Sequence, residues 1–100
     1  MTGMAAFEHV AAQKAMKELG GEIRAQGSRY GCQTNEKLGV KLGRCGATVG
    51  NWLRDPESIK LGDLRKMVQM LHLDPEIVLA ALGYSLTQIR NLGKEKKDDQ

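Results

Sequence analysis

Aromatic side chains are scarce: one Phe, one Trp and two Tyr make up 4 % of the chain. Prolines number two, and β-branched residues are scattered rather than alternating, so the period-two pattern of a half-buried strand fails almost everywhere. Cysteines are as few, and Cys32 and Cys45 could form at most one disulfide, a bridge that is rare in a reducing compartment. Neither sits in a short paired spacing, and the histidines, His9 and His72, lie far from both, so no metal site is expected. No apolar stretch approaches the roughly 20 residues of a membrane span; even residues 76–83 begin with Glu76. Early Lys or Arg followed by an apolar run is also missing, since Glu8 and His9 interrupt the first ten residues. No secretory signal is therefore expected, and a cytoplasmic chain would keep both thiols reduced. A nucleophile–base pair or carboxylate dyad with meaningful spacing is lacking, so the chain is expected to be no enzyme and to need no cofactor.

What is there is the material of one small soluble domain. The 100 residues are 41 % hydrophobic and 27 % charged, ordinary values for a globular fold. Lys and Arg exceed Asp and Glu by a formal +3, a modest excess that does not by itself identify a partner.

Helical spacing dominates. From Ala5 to Leu19, Phe7, Val10, Ala11, Ala12, Ala15, Met16 and Leu19 recur every three or four residues, as a helix with one buried face requires. Gly20 and Gly21 each weaken a helix interior by about 1 kcal/mol relative to Ala, which predicts a kink or boundary there and an interrupted helix ending near Gln26. Gly27 to Gly31 reads as a loop. Thr34 is a suitable amino-terminal cap for a short helix through Leu42, closed by Gly43, and Val49, Trp52 and Leu53 predict another over 47–53. Pro56 breaks the pattern. The clearest stripe follows, with Leu61, Leu64, Met67, Val68 and Leu71 inward and Asp63, Arg65, Lys66 and Gln69 outward. His72, at the end of that helix, is expected to interact with its terminal carbonyls. Asp74-Pro75 marks another start and Gly83 its end, and Ser85 caps a marginal last helix over 85–92. Lys94 to Gln100 contains no apolar residue and is expected to be a disordered tail beyond a single domain over 1–93.

The two short helices meeting across Gly43 carry the most information, because a tight glycine turn exposes the second helix outward. Residues Asn35 to Arg54, with small Gly39 inside the first helix, Gly43 in the turn, and buried Leu38, Leu42, Val49 and Trp52, resemble the helix-turn-helix of the phage repressor and Cro superfamily of bacterial transcription regulators. The resemblance implies an all-α, compact five-helix lambda repressor-like domain, with its core at about 16–83 and its helix-turn-helix at 34–54, here extended by an amino-terminal helix and a short carboxyl-terminal helix or tail. It also implies double-stranded DNA as partner. Cys45 and Gly46 stand where the family usually has serine or threonine followed by a long polar side chain.

A major groove about 12 Å wide admits one exposed helix. If Cys45 begins that helix, Gly46, Ala47, Gly50 and Asn51 share its outward face, opposite Val49 and Trp52. Asn51 is the best base reader, because an amide both donates to adenine N7 and accepts from its N6 amino group; Ala47 and the Thr48 methyl suit a thymine methyl. Phosphate contacts are expected from Thr34 and Asn35, which begin the supporting helix, with charge from Lys41, Arg44, Arg54 and Lys60. Residues 34–60 carry a net +2 of the total +3. Arg44, where the family commonly has an apolar residue, is expected to face solvent or phosphate.

Trp52 reads as core, not as a base-stacking platform. Cys45 reads either as a small capping residue or as a thiol with lowered pKa that senses oxidants. A single module of this size covers too little DNA for useful selectivity, which predicts a homodimer on a palindromic operator. The dimer surface is expected from Leu79, Leu86, Ile89 and Leu92, or from the helix of Phe7 to Met16. The function that follows is a repressor acting by operator occupancy. Its rivals are an antitoxin using the same module on its own promoter and a protein-interaction module without DNA affinity.

Overall fold

A computed structural model describes the backbone of residues 2–85 and 87–91 and the side chains of residues 11–85 and 87–91. Among these residues every regular element is helical: α1 (Thr2–Arg29), α2 (Asn35–Leu42), α3 (Gly46–Arg54), a 3₁₀ turn (Pro56–Ser58), α4 (Leu61–Leu71) and α5 (Pro75–Ala81), followed by a helical segment at 87–91. The all-helical expectation is met. The expected burial of Phe7 and Val10, the contacts of Leu86 and Leu92, and the tail from Lys94 lie outside the described residues.

The predicted interruption at Gly20 does not occur, and α1 continues to Arg29 rather than ending near Gln26. Tertiary packing overrides the glycine penalty. Leu19 and Ile23 are buried on either side, and a Cβ at Gly20 would already touch the Leu53 carbonyl oxygen and the Pro56 ring at 3.5 and 3.6 Å. Gly27 lies inside α1 rather than in a loop, against the Leu38 side chain. Of the stripe expected before Gly20, Leu19 is in the core and Met16 packs against it, whereas Ala11 and Ala12 are exposed and Ala15 is only half-buried.

The core collects Leu19 and Ile23 of α1, Leu38 and Leu42 of α2, Val49 and Trp52 of α3, Leu64, Met67 and Leu71 of α4, and Val78 and Ala81 of α5. Helix α1 is the common support, packing on α5, α3, α4 and the 3₁₀ turn, while α2 packs on α3 and α4. Glu22 on α1 also accepts the Asp74 backbone N–H at 2.7 Å, tying the start of α5 to it.

Caps account for the boundaries. Thr34 Oγ1 accepts the Lys37 N–H at 3.2 Å, and Asp74 Oδ1 accepts the Glu76 N–H at 3.0 Å ahead of Pro75 in the first turn of α5. Ser85 and Gln88 exchange bonds, Gln88 N–H to Ser85 Oγ at 3.2 Å and Ser85 N–H to Gln88 Oε1 at 2.9 Å, a capping box for the 87–91 segment. Lys66 Nζ donates to the Leu42 carbonyl at 3.0 Å, satisfying the end of α2.

Two assignments on α4 are reversed. Leu61, expected inward, is 65 % exposed, while Asp63, expected outward, is 8 % exposed. Asp63 and Leu64 are the residues of the first turn of α4 that turn inward, and half-buried Ile59, just before the helix, packs on the core in the place expected of Leu61. Asp63 tolerates burial because a cation meets it from the α2–α3 turn. His72 adopts the left-handed conformation, φ 53°, that ends α4, and its ring sits 5.9 Å from that of Tyr30.

Candidate nucleic-acid interface

Helix α2 ends at Leu42 because Gly43 takes φ 74°, a conformation a β-carbon opposes. Its N–H reaches back to the Val40 carbonyl at 3.4 Å, and the Arg44 N–H donates to the Gly39 carbonyl at 2.8 Å. Cys45, with extended backbone, then starts α3, its carbonyl accepting the Val49 N–H at 3.2 Å. This return brings the Arg44 carbonyl oxygen to 2.2 Å from the place a Cβ at Gly39 would occupy. Only glycine fits at that position without parting the two helices.

The turn is also tied to α4. Arg44 donates from Nε and Nη2 to Asp63 Oδ1 at 3.0 and 2.8 Å. Arg44, expected to face solvent or phosphate, thus keeps 48 % of its side chain exposed but spends its charge on a buried carboxylate. The local excess of +2 in residues 34–60 is correspondingly offset by Asp63, just beyond that segment.

On α3, Val49 and Trp52 are buried while Ala47, Asn51 and Arg54 are exposed, as the helical period predicts. Gly46 and Gly50 are half-buried rather than fully outward. They lie against the first turn of α2: a Cβ at Gly46 would meet Glu36 Cγ at 3.1 Å, and one at Gly50 would meet Asn35 Nδ2 at 3.2 Å. Asn51 Oδ1 accepts from the Arg54 guanidinium one turn on. A shallow depression of about 380 Å³ brings Arg44, Thr48, Asn51 and Lys60 together, alongside Trp52, Ser58 and Asp63.

Thr34 and Asn35 stand at the start of α2 beside α3, but Lys41 does not join them. It occupies the far end of α2, with Nζ 5.4 Å from the Tyr30 ring centre. Arg24 of α1 takes its place, donating to Asn35 Oδ1 and, at 3.4 Å, to the Gln33 carbonyl. Sequence reading missed Arg24 because nothing in the spacing of α1 indicates that its polar face meets the start of α2.

Cys45 and Cys32 are both free thiols, Cys45 exposed and Cys32 buried. Cys45 Sγ lies 3.2 Å from Thr48 Oγ1, and this hydrogen bond, followed by one from the Thr48 backbone, holds the thiol below its ordinary pKa. Among the described residues no three His, Cys, Asp or Glu side chains converge as metal ligands, and no helix is long and apolar enough to cross a membrane.

No family model, curated protein or solved structure matches this chain. The candidate surface consists of one helix face presenting an amide and a guanidinium, flanked by Lys60 and by Arg24 at the start of a second helix. It offers hydrogen-bond donors and positive charge, with the Asp63 carboxylate at Arg44 and that of Glu36 at Gly46.

Proposed function

We propose that this chain is a sequence-specific duplex-DNA-binding regulator with a lambda repressor-like domain, inserting α3 into the major groove and acting as a phage- or prophage-type repressor. The observation that carries the reading is the close approach of the Arg44 carbonyl to Gly39. It fixes α3 against α2 while Ala47, Asn51 and Arg54 remain exposed on one face of α3. A rigidly supported, exposed helix with an amide at its centre has the dimensions and donors for base edges in a major groove. Thr34, Asn35, Arg24 and Lys60 flank that helix and suit phosphate oxygens, which set register rather than sequence. Repression by operator occupancy asks for no catalytic group.

One domain of this size covers about 600–1,000 Å² of DNA, so selectivity calls for two copies on a twofold site. Selection from a random duplex pool, followed by titration of the enriched duplex at several salt concentrations, tests the reading. The expected result is a palindrome with half-sites about one helical turn apart and an affinity falling steeply with salt. Salt-independent or undetectable binding to every duplex would instead favour a protein-interaction module.

A further inference from the structure

Asn51 is not free to present both edges of its amide. The Arg54 guanidinium donates to it, and because a guanidinium carries N–H groups and no acceptor, only Oδ1 can face it. The Nδ2 donors are then turned away from Arg54. Arg54 itself folds back along α3, with Nη1 3.9 Å from where a Gly50 Cβ would stand, so its charge lies beside Asn51 rather than off the helix end. Lys60 lines the same depression as Asn51, where the Arg44 charge is taken up by Asp63, and the Glu36 carboxylate packs at Gly46, near the other end of the helix.

Resting on the DNA-binding reading above, we infer that Asn51 and Arg54 act as one unit that reads guanine, not adenine. Adenine recognition by an asparagine pairs an amide donor with N7 and the amide oxygen with the N6 amino group. Here one of that oxygen's two acceptor positions is taken by a cation, and an N6 amino donor approaching the other would meet the repulsion of the guanidinium's charge and N–H groups. Guanine offers N7 and O6, two acceptors side by side, to the Nδ2 donors of Asn51 and the charge of Arg54 beside them. Arg54 is thus a specificity-determining residue: it selects the base by deciding which edge of Asn51 is available.

Selection from a random duplex pool with the wild type, Asn51→Ala and Arg54→Met tests the pair. The position read by Asn51 is the one whose preference disappears in Asn51→Ala. Guanine is expected there in the wild type, with about 5- to 150-fold preference over adenine. In Arg54→Met, which keeps an unbranched apolar stem along the helix but removes the donors, Oδ1 is released and the same position is expected to turn to adenine. Placing 7-deazaguanine there should weaken wild-type binding but leave Asn51→Ala unaffected, a readout independent of how Arg54→Met folds. Adenine at that position in the wild type, or guanine retained in Arg54→Met, would overturn the assignment while leaving DNA binding intact. A pool that yields no bound sequence would overturn the DNA-binding reading and this inference with it.

Discussion

Arg44 and Asp63 illustrate how single residues depart from their helical period. The period of α4 puts Asp63 outward, yet it is buried because a partner 19 residues earlier returns through the α2–α3 turn. Removing the partner strands a desolvated carboxylate. Arg44→Ala should cost about 1 kcal/mol in urea denaturation, at the low end for a hydrogen-bonded charge because half of Arg44 is solvated. The double variant with Asp63→Ala should be little worse than the single one. Cys45 makes the complementary case at the surface. Its lowered pKa means that the thiolate persists to lower pH than in an ordinary thiol, so alkylation should rise at lower pH. Following the Cys45 peptide by mass against pH checks this, and Thr48→Val, which removes the hydroxyl, should move the midpoint back up. A wild-type midpoint equal to that of a free thiol peptide would remove any basis for oxidant sensing. Such pairs escape a sequence reading because each joins groups whose proximity is created by the fold.

Elements were far more legible than side-chain pairs. Thr34, Gly43 and Asp74 marked boundaries correctly because capping is local chemistry, decided within four residues of the helix end. Gly20 misled for the opposite reason. Its intrinsic penalty is real, but Leu53 and Pro56 pack against it and the helix continues. The sequence marks Gly39 as a small residue inside the first helix of the turn, and the severity of its constraint comes from the approach of the Arg44 carbonyl. Gly39→Ala should therefore destabilise the fold by about 3 kcal/mol or more in thermal or urea unfolding, since the added methyl meets rigid backbone rather than a yielding side chain. Helix propensity alone predicts the reverse sign, a gain of about 1 kcal/mol.

At the scale of the whole molecule, the candidate surface was legible as a helix face but not as a charge distribution. Thr34, Asn35, Asn51 and Lys60 fall where the period and the caps put them, whereas Lys41 is drawn to Tyr30, Arg44 is taken by Asp63, and Arg24 enters from another helix. Titrating binding against salt distinguishes these roles. Lys60→Ala should weaken binding to all duplexes alike and reduce the slope of log affinity against log salt by about 1, the loss of one phosphate contact. Lys41→Ala should leave that slope unchanged; an equal loss from both would mean that the contact surface extends to the far end of α2.

Helix α1 has one more consequence. At 28 residues it is about 42 Å long, yet the described side chains of Ala11 to Lys14 all face solvent, while Leu19 to Gly27 carry the core contacts. Isolated helical turns are marginal in water, so the two halves of this one rod obey different clocks. Amide protons near residues 12–15 should exchange with deuterium orders of magnitude faster than those of Ile23 to Gly27, with the border near Met16, where the core contacts begin. A geometrically continuous helix would then be two kinetic objects, one opening with the local chain and the other only when the whole domain unfolds.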